Sequence, residues 1–290
     1  MDYINIIIQG FVQGLTEFLP VSSSGHLSVV QHFMGIEEES LTVTVVLHLG
    51  TLLAVFIAFW KQISAMIKEF FLTIRDVMLG KFSWKGMNAD RRMMFMVIIA
   101  TLLLIPALVF KDVFTAPEGD GDIIFEGVAF LFTAMLLFFS DACVKGHKTG
   151  ADMTVKDALL VGAFQLVAVL PGISRSGSTI TAGLFAGLSR QTAVAFSFIL
   201  GIPAILGGSV FELTDAFHSG VQLNIPVLVI GMAVSAVVGI AAIRLVALII
   251  NNDKFKYFGF YLIVVGLFCV GAGIFEHING ENILQYLTST

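Results

Sequence analysis

Charge is scarce in this chain. Asp, Glu, Lys and Arg make up 13% of its 290 residues, about half the share usual in a soluble domain, while 57% are hydrophobic. With a mean hydropathy of +0.93, an ordinary water-soluble domain is excluded. Cysteine is scarcer still. Only Cys143 and Cys269 occur, far apart in the chain, so neither a disulfide framework nor a cysteine metal cluster is expected. The N-terminus lacks a basic n-region and a small-residue cleavage site, so the first hydrophobic segment is expected to be retained. A net charge of −5 gives no ground for a nucleic-acid partner and otherwise says little, because in a membrane protein the placement of Lys and Arg matters more than their sum.

What the chain has is long apolar runs. Leu41–Trp60 and Gln191–Phe211 carry no charged residue over 20 and 21 positions. Leu223–Ile243, Tyr257–Phe275 and Met93–Phe110 are equally clean, and Ile123–Ser140 holds only Glu126. A spanning helix needs about 20 such residues, so six spans are predicted. Four shorter apolar pieces remain, near residues 3–19, 23–35, 157–170 and 176–188. They are of half-span length and form two pairs, hinged at Pro20 and Pro171. Proline removes a donor and biases the preceding residue out of the helix, so two re-entrant hairpins are favoured over four extra spans.

The two hairpins are imperfect copies. Gln13-Gly14-Leu15-Thr16-Glu17-Phe18-Leu19-Pro20-Val21-Ser22-Ser23-Ser24-Gly25-His26 parallels Gln165-Leu166-Val167-Ala168-Val169-Leu170-Pro171-Gly172-Ile173-Ser174-Arg175-Ser176-Gly177-Ser178. Pro20 and Pro171 are 151 positions apart, and so are Gly50 and Gly201. The first repeat spans 1–142, with its hairpin at about 2–35, and the second spans 155–277, with its hairpin at about 157–189. Each adds three spans to its hairpin within a single membrane domain. Fourteen of the sixteen basic residues fall on one side of the predicted spans. The other side receives Lys111 with Asp112, Glu118, Asp120, Asp122, Glu212 and Asp215, and Arg175 lies inside the second hairpin. The positive-inside rule places residues 61–92, 141–157 and 244–256 in the cytoplasm and both termini outside. Three spans per half is an odd number, so the halves have opposite orientation. The expected fold is therefore an all-α integral membrane protein of six transmembrane helices plus two re-entrant helix hairpins in an inverted-topology repeat. Between Lys61 and Asp90, apolar Met66, Phe70, Phe71, Ile74 and Val77–Leu79 alternate with charges. Both a surface-lying amphipathic helix and a loop packed under the bundle fit.

Polar residues at a break in the membrane usually line a cavity. Gln13 and Glu17 are four apart and share a helix face. Ser22, Ser23 and Ser24 follow Pro20 and are good N-caps, so a half-helix begins there with free N–H groups suited to an anion. His26 lies three residues after Ser23, near enough to serve or orient a hydroxyl. In the second hairpin Ser174, Ser176 and Ser178 flank Arg175, whose guanidinium suits phosphate oxygens, and Gly177 admits close backbone approach. Brought together, this set suits phosphoryl transfer. Competing readings stand beside it. Serine and glycine also mediate helix packing, and Glu17 and Arg175 could form a purely structural ion pair. His48 reads as a polar packing residue.

The stretch Gln13 to Leu27 resembles the first signature of the bacterial undecaprenyl-pyrophosphate phosphatases of the bacitracin-resistance type, and Pro171 to Thr179 resembles their second. The resemblance implies hydrolysis of undecaprenyl pyrophosphate to undecaprenyl phosphate and inorganic phosphate, which recycles the lipid carrier of cell-wall synthesis. It also implies a bacterial cytoplasmic (inner) membrane location with the site open to the periplasm, and dependence on a divalent cation, Mg2+ or Ca2+. Carried over residue by residue, Ser23 is the nucleophile and His26 the acid/base, with His26 itself as phospho-acceptor left open. Arg175 clamps the pyrophosphate, and Glu17 holds the metal or orients His26. Gln13, Ser22, Ser24, Gly25, Ser174, Ser176 and Gly177 contact substrate. Gln13 stands where many members have glutamate, which leaves one fewer anionic ligand for the metal. Bacitracin would compete for the substrate rather than bind the protein. A homodimer is compatible with this architecture. Inverted repeats with broken helices are also transporter architecture, so a lipid-carrier flippase, alone or combined with the phosphatase, is the alternative. Only the phosphatase needs a nucleophile.

Overall fold

The computed structural model describes residues 3–36, 41–110, 123–143, 146–218, 224–249, 255–279 and 283. Lys111, Asp112, Glu118, Asp120, Asp122, Lys145 and Lys254, all used in the charge reading, lie outside the described residues. Within those residues the chain is all-helical, with one isolated bridge between Lys148 and Leu188. In the first half the helices are α1 (Tyr3–Thr16), α2 (Ser23–Met34), α3 (Leu41–Ala58), α4 (Trp60–Met78), α5 (Ala89–Leu102), α6 (Ile105–Val109) and α7 (Ile124–Ala142). In the second half they are α8 (Val155–Val167), α9 (Arg175–Phe185), α10 (Arg190–His218), α11 (Ile225–Ile249) and α12 (Phe255–Asn279).

Local chemistry sets the hairpin breaks. α1 ends at Thr16, whose hydroxyl donates back to Val12 O at 2.6 Å, and Pro20 cannot rejoin the ladder. α2 starts where Ser22 Oγ accepts from Gly25 N–H at 3.3 Å. It stops at Gly35, whose φ of 66° is left-handed and needs glycine. α8 opens with a reciprocal cap between Thr154 and Asp157 and ends ahead of Pro171. α9 opens where Ser174 Oγ accepts from Gly177 N–H at 3.0 Å.

Five helices or joined helices are long and apolar enough to cross a membrane: Ala89–Val109, Ile124–Ala142, Arg190–Val210, Ile225–Ile249 and Phe255–Asn279. The expected sixth span, Leu41–Trp60, differs. α3 bends by 86° into α4 at Phe59, so the pair reaches six only if counted as one broken span. The bend comes where the apolar run meets Lys61 and Gln62, whose charged and amide groups favour water. The run Met93–Phe110 is likewise interrupted between α5 and α6, two residues ahead of Pro106. Between Lys61 and Asp90 the helical reading holds over α4. It buries Ile63, Met66, Glu69 and Thr73 and exposes Lys61, Ile67, Lys68, Phe70, Phe71, Ile74 and Arg75. Arg91 fastens α4 to α5 through Glu69 at 2.7 Å and Asp76 at 2.9 Å.

The halves pack in an exchanged pattern. α1 lies on α11 and α8 lies on α5; α11 meets α3 and α5 meets α10; α7 pairs with α12, and α9 and α2 both rest on α7. Small residues let these helices approach closely. A Cβ on Gly14 would lie 2.5 Å from Ser235 O, and one on Gly127 would lie 2.8 Å from Gly266 O. The outer faces are apolar instead: Ile4, Ile7 and Phe11 on α1, Val229 and Val237 on α11, and Val264 and Leu267 on α12 are all exposed. Such a surface suits lipid and not water.

Candidate active site

The two hairpin tips touch. Gly172 N–H donates to Ser24 Oγ at 3.3 Å, and Ser176 Oγ donates to Leu19 O at 3.1 Å. Ser174 N–H is held by Thr133 Oγ1 of α7 at 3.1 Å. Each tip carries a left-handed residue, Gly172 at φ 75° and Ser22 at φ 74°. Glycine takes that conformation freely. Serine does so under strain, which persists where surrounding bonds over-determine it. Here the Ser22 cap and the contact from His26 Nδ1 to Ser22 O at 2.8 Å supply that hold.

Glu17 is the meeting point. Its carboxylate is 6% exposed, a costly position for a charge unless it is paired and hydrogen-bonded. Oε1 accepts from Arg175 Nη2. Oε2 accepts from Ser23 Oγ at 2.6 Å and from Gln13 Nε2 at 3.0 Å. His48 Nε2 stands 3.8 Å from Oε2. Ser23 and Arg175 each occupy the first helical position after an N-cap serine, so both side chains leave their half-helix at its positive end. They line a cavity of about 400 Å3 shared by both hairpins, α6 and α10. Thr16, Glu17, Ser22, Ser24, His48, Gln165, Ser174 and Ser176 add its polar wall, and Leu104, Leu108, Val169 and Ile205 are among its apolar residues. Gly25 and Gly177 sit in the first turns behind these walls. A Cβ at Gly25 would lie 2.6 Å from the Phe130 ring, so that position admits only glycine without rearrangement.

The placement of His26 differs from expectation. Its Nδ1 faces Ser22 O and its Nε2 faces Tyr261 Oη, each at 2.8 Å. The ring stacks on Tyr261 at 5.6 Å and does not border the cavity. A carbonyl can only accept, so Nδ1 carries the proton and Nε2 accepts from Tyr261. Three residues after Ser23 is close in sequence, but the ring is engaged by Tyr261 of α12, and the bond to Ser23 Oγ is made by Glu17 instead.

Sequence reasoning passed over four residues. His48 was read as packing, yet it borders the cavity. Its Nδ1 donates to Thr44 O at 2.9 Å, which turns Nε2 toward Glu17. Its signal was available, since an ionisable group inside an otherwise charge-free span is a functional candidate by default. Gly201 was noted only as a repeat of Gly50. A Cβ there would overlap Arg175 Nη1 and lie 2.8 Å from Cζ, so the guanidinium rests on bare α10 backbone. Gln165 opened the second copy without a role. It is 1% exposed, borders the cavity, and neither carboxamide atom has a hydrogen-bond partner. Tyr261 had no signal in either motif.

Among the described residues no three His, Cys, Asp or Glu side chains cluster to hold a metal. The donors present are the Glu17 carboxylate and the buried Gln13 Oε1, which lacks a partner. They do not make a cage, but they fit a cation that arrives on phosphate oxygens, as Mg2+ commonly does.

The family model described as bacitracin resistance protein BacA matches residues 6–268. A protein named undecaprenyl-diphosphatase from Alkaliphilus metalliredigens is 42% identical over 269 residues, covering 92% of this chain and 97% of that protein. One of the same name from Methanosphaera stadtmanae is 38% identical over 275 residues, covering 93% and 98%. Another from Mycolicibacterium smegmatis is 34% identical over 281 residues, covering 94% and 99%.

Proposed function

Because the chain belongs to the bacitracin resistance protein BacA family, we propose that it hydrolyses undecaprenyl diphosphate to undecaprenyl phosphate and inorganic phosphate. The observation that carries this reading is the convergence of Ser23 and Arg175, one from each half, on the single carboxylate of Glu17. A structural ion pair needs no hydroxyl at 2.6 Å from the same oxygen. A nucleophile needs one, because a serine attacks only when a neighbouring base takes its proton.

In this mechanism Ser23 Oγ attacks the terminal phosphorus as its proton passes to Glu17 Oε2. The anhydride P–O bond breaks and the prenyl phosphate departs with the bond's electron pair. Water then attacks the phosphoserine and releases inorganic phosphate. His48 Nε2, beside Glu17, relays the proton away. Arg175 and the N–H groups of the two half-helices hold the oxygens of the diphosphate, where charge builds in the transition state. His26 fixes the Ser22 turn and so aims Ser23; it is a positioning residue. A divalent cation, Mg2+ or Ca2+, would be held by Glu17 and Gln13 Oε1 together with the diphosphate, and would neutralise part of its charge.

The chain is a multi-pass membrane protein. The finer arrangement belongs to the same proposal. It comprises an inverted repeat in the bacterial cytoplasmic membrane with α4 on the cytoplasmic surface, a site open to the periplasm, and bacitracin acting by sequestering substrate. The exchanged packing of the halves and the bias of Lys and Arg support it. The test is phosphate release from a prenyl diphosphate by the purified protein. Ser23→Ala should lower the rate by at least about 10³-fold with unchanged melting, and Glu17→Gln should do nearly the same. Full turnover by Ser23→Ala would overturn the assignment.

A further inference from the structure

The tips are built alike, down to a detail that leaves one side chain idle. Gln13 lies nine positions before its N-cap Ser22, and Gln165 lies nine positions before its N-cap Ser174. Each cap serine accepts from the glycine three residues on, and each stands beside a second serine hydroxyl, at 3.4 Å for Ser22 and Ser24 and 3.3 Å for Ser174 and Ser176. In this register Ser23 corresponds to Arg175 and Glu17 corresponds to Val169. Gln13 therefore has a carboxylate four residues on to receive its N–H, whereas Gln165 faces an apolar residue at the same step. Its carboxamide is 1% exposed and both of its polar atoms lack partners. A buried amide left unpaired is destabilising, and a site retains one where a ligand completes it.

We propose that Gln165, with Arg175 and the Ser174–Ser176 turn, forms a second phosphate subsite that holds the lipid-bearing phosphate. This phosphate is the leaving group of the reaction and becomes the prenyl monophosphate product. The inference rests on the reading of Ser23 as nucleophile, which puts the reacting phosphate at the first tip and its neighbour at the second. The walls agree. Val169, Leu104 and Leu108 border the cavity together with Gln165 and offer an apolar exit for a chain attached to that phosphate. A carboxamide suits the task because it donates to a phosphate oxygen from Nε2 and accepts from a bound water at Oε1 without adding charge. It grips the product less firmly than a second arginine would.

The test is calorimetric titration of the purified full-length protein with farnesyl phosphate and, separately, with inorganic phosphate. Gln165→Met keeps the volume and removes both polar atoms. It should weaken farnesyl phosphate about tenfold, the loss of one hydrogen bond to a charged group, and leave inorganic phosphate within twofold. Val169→Glu should do the same or more while Gln165 itself is kept. It supplies the partner that Glu17 gives Gln13 and adds a charge that repels phosphate. Either variant showing the farnesyl phosphate loss, with unchanged melting, supports the subsite. Both variants binding farnesyl phosphate like the parent overturn it, as does a loss confined to inorganic phosphate. Titration needs no turnover, so a parent protein that binds farnesyl phosphate yet never hydrolyses a diphosphate would sink the phosphatase mechanism and not the subsite.

Discussion

The contact of Arg175 with Gly201 gives the sharpest prediction, because one methyl group should separate two otherwise equal substitutions. α10 carries Gly201 and, six residues later, Gly207. At Gly207 an added Cβ meets nothing within 4 Å, whereas at Gly201 it would overlap Arg175 Nη1 and lie 3.0 Å from Nη2. The guanidinium is planar and its Nη2 is already bound to Glu17, so it cannot slide off the helix and keep that bond. Gly201→Ala should thus displace the guanidinium and break the Glu17 contact without changing the identity of any catalytic residue. Removing a preorganised donor to developing charge costs about 10²–10³ in rate, and about 2.7 kcal/mol corresponds to the lower figure at about 1.36 kcal/mol per decade. Gly207→Ala makes the same chemical change in the same helix, where alanine is the better helix former, and should keep full activity. The assay is phosphate release from farnesyl diphosphate by the two purified variants, with melting curves to confirm that both are folded. If Gly201→Ala stays within about twofold of Gly207→Ala, α10 does not position the arginine and the clamp needs another explanation.

The remaining predictions follow from contacts away from that helix. His48→Gln removes the titratable imidazole beside Glu17 and should lower kcat by about 10²-fold, in the range of a lost proton-transfer group; an activity within threefold of the parent would remove His48 from the proton path. If His26 only positions Ser22, His26→Asn, which keeps a donor near the Ser22 carbonyl, should retain more activity than His26→Ala; equal loss in both would make the imidazole a chemical participant. On α4, burial works to raise the Glu69 carboxyl, but hydrogen bonds from Asn88 and Arg91 and the charge of Arg91 outweigh it and hold it below its usual 4.5. That contribution is complete above 4.5 and is lost as pH falls through the lowered value, so hydrogen exchange along α4 should accelerate in the parent only once the pH has dropped below 4.5, and already at neutral pH in Glu69→Gln.

The hairpins and their meeting were legible because the residues that make them are local. Pro20 and Pro171 break the helices, Ser22 and Ser174 restart them, and each of these acts within a few positions of itself. The convergence of Glu17 with Arg175, 158 positions apart, was also within reach, since a buried carboxylate and a buried guanidinium have few other ways to be neutralised. The bend at Phe59 was not. Hydropathy marks where Leu41–Trp60 is apolar but has no term for direction, and the 86° turn leads into α4, which Arg91 of α5 holds through Glu69 and Asp76. His48 and His26 exchanged places for a similar reason. The motif brought His26 close to Ser23 along the chain, whereas its ring is taken up by Tyr261 of α12, and only the packing of α3 beside α1 brings His48 to Glu17. Gly201 was invisible for want of a side chain; its role is the space it leaves.

A scaffold this nearly repeated must still perform a directional reaction, and the departures from repetition say how. Both halves supply a glutamine, a cap serine and a half-helix whose positive end faces the cavity, which together make two similar anion sites. Had the tips been identical, a diphosphate could sit either way round. Glu17 against Val169 breaks that equivalence, and so does Ser23 against Arg175. In the proposed mechanism the first tip gains a hydroxyl and the base that activates it. The second gains a fixed positive charge and an apolar neighbour. Only one orientation then puts the terminal phosphorus at a nucleophile and the lipid-bearing phosphate beside Leu104 and Leu108. It follows that moving the carboxylate, by pairing Glu17→Val with Val169→Glu, should not transfer activity to the second tip. Arg175 offers no nucleophile there, and Ser23 would have lost its base. Measurable hydrolysis by that double variant would show that the orientation is set elsewhere.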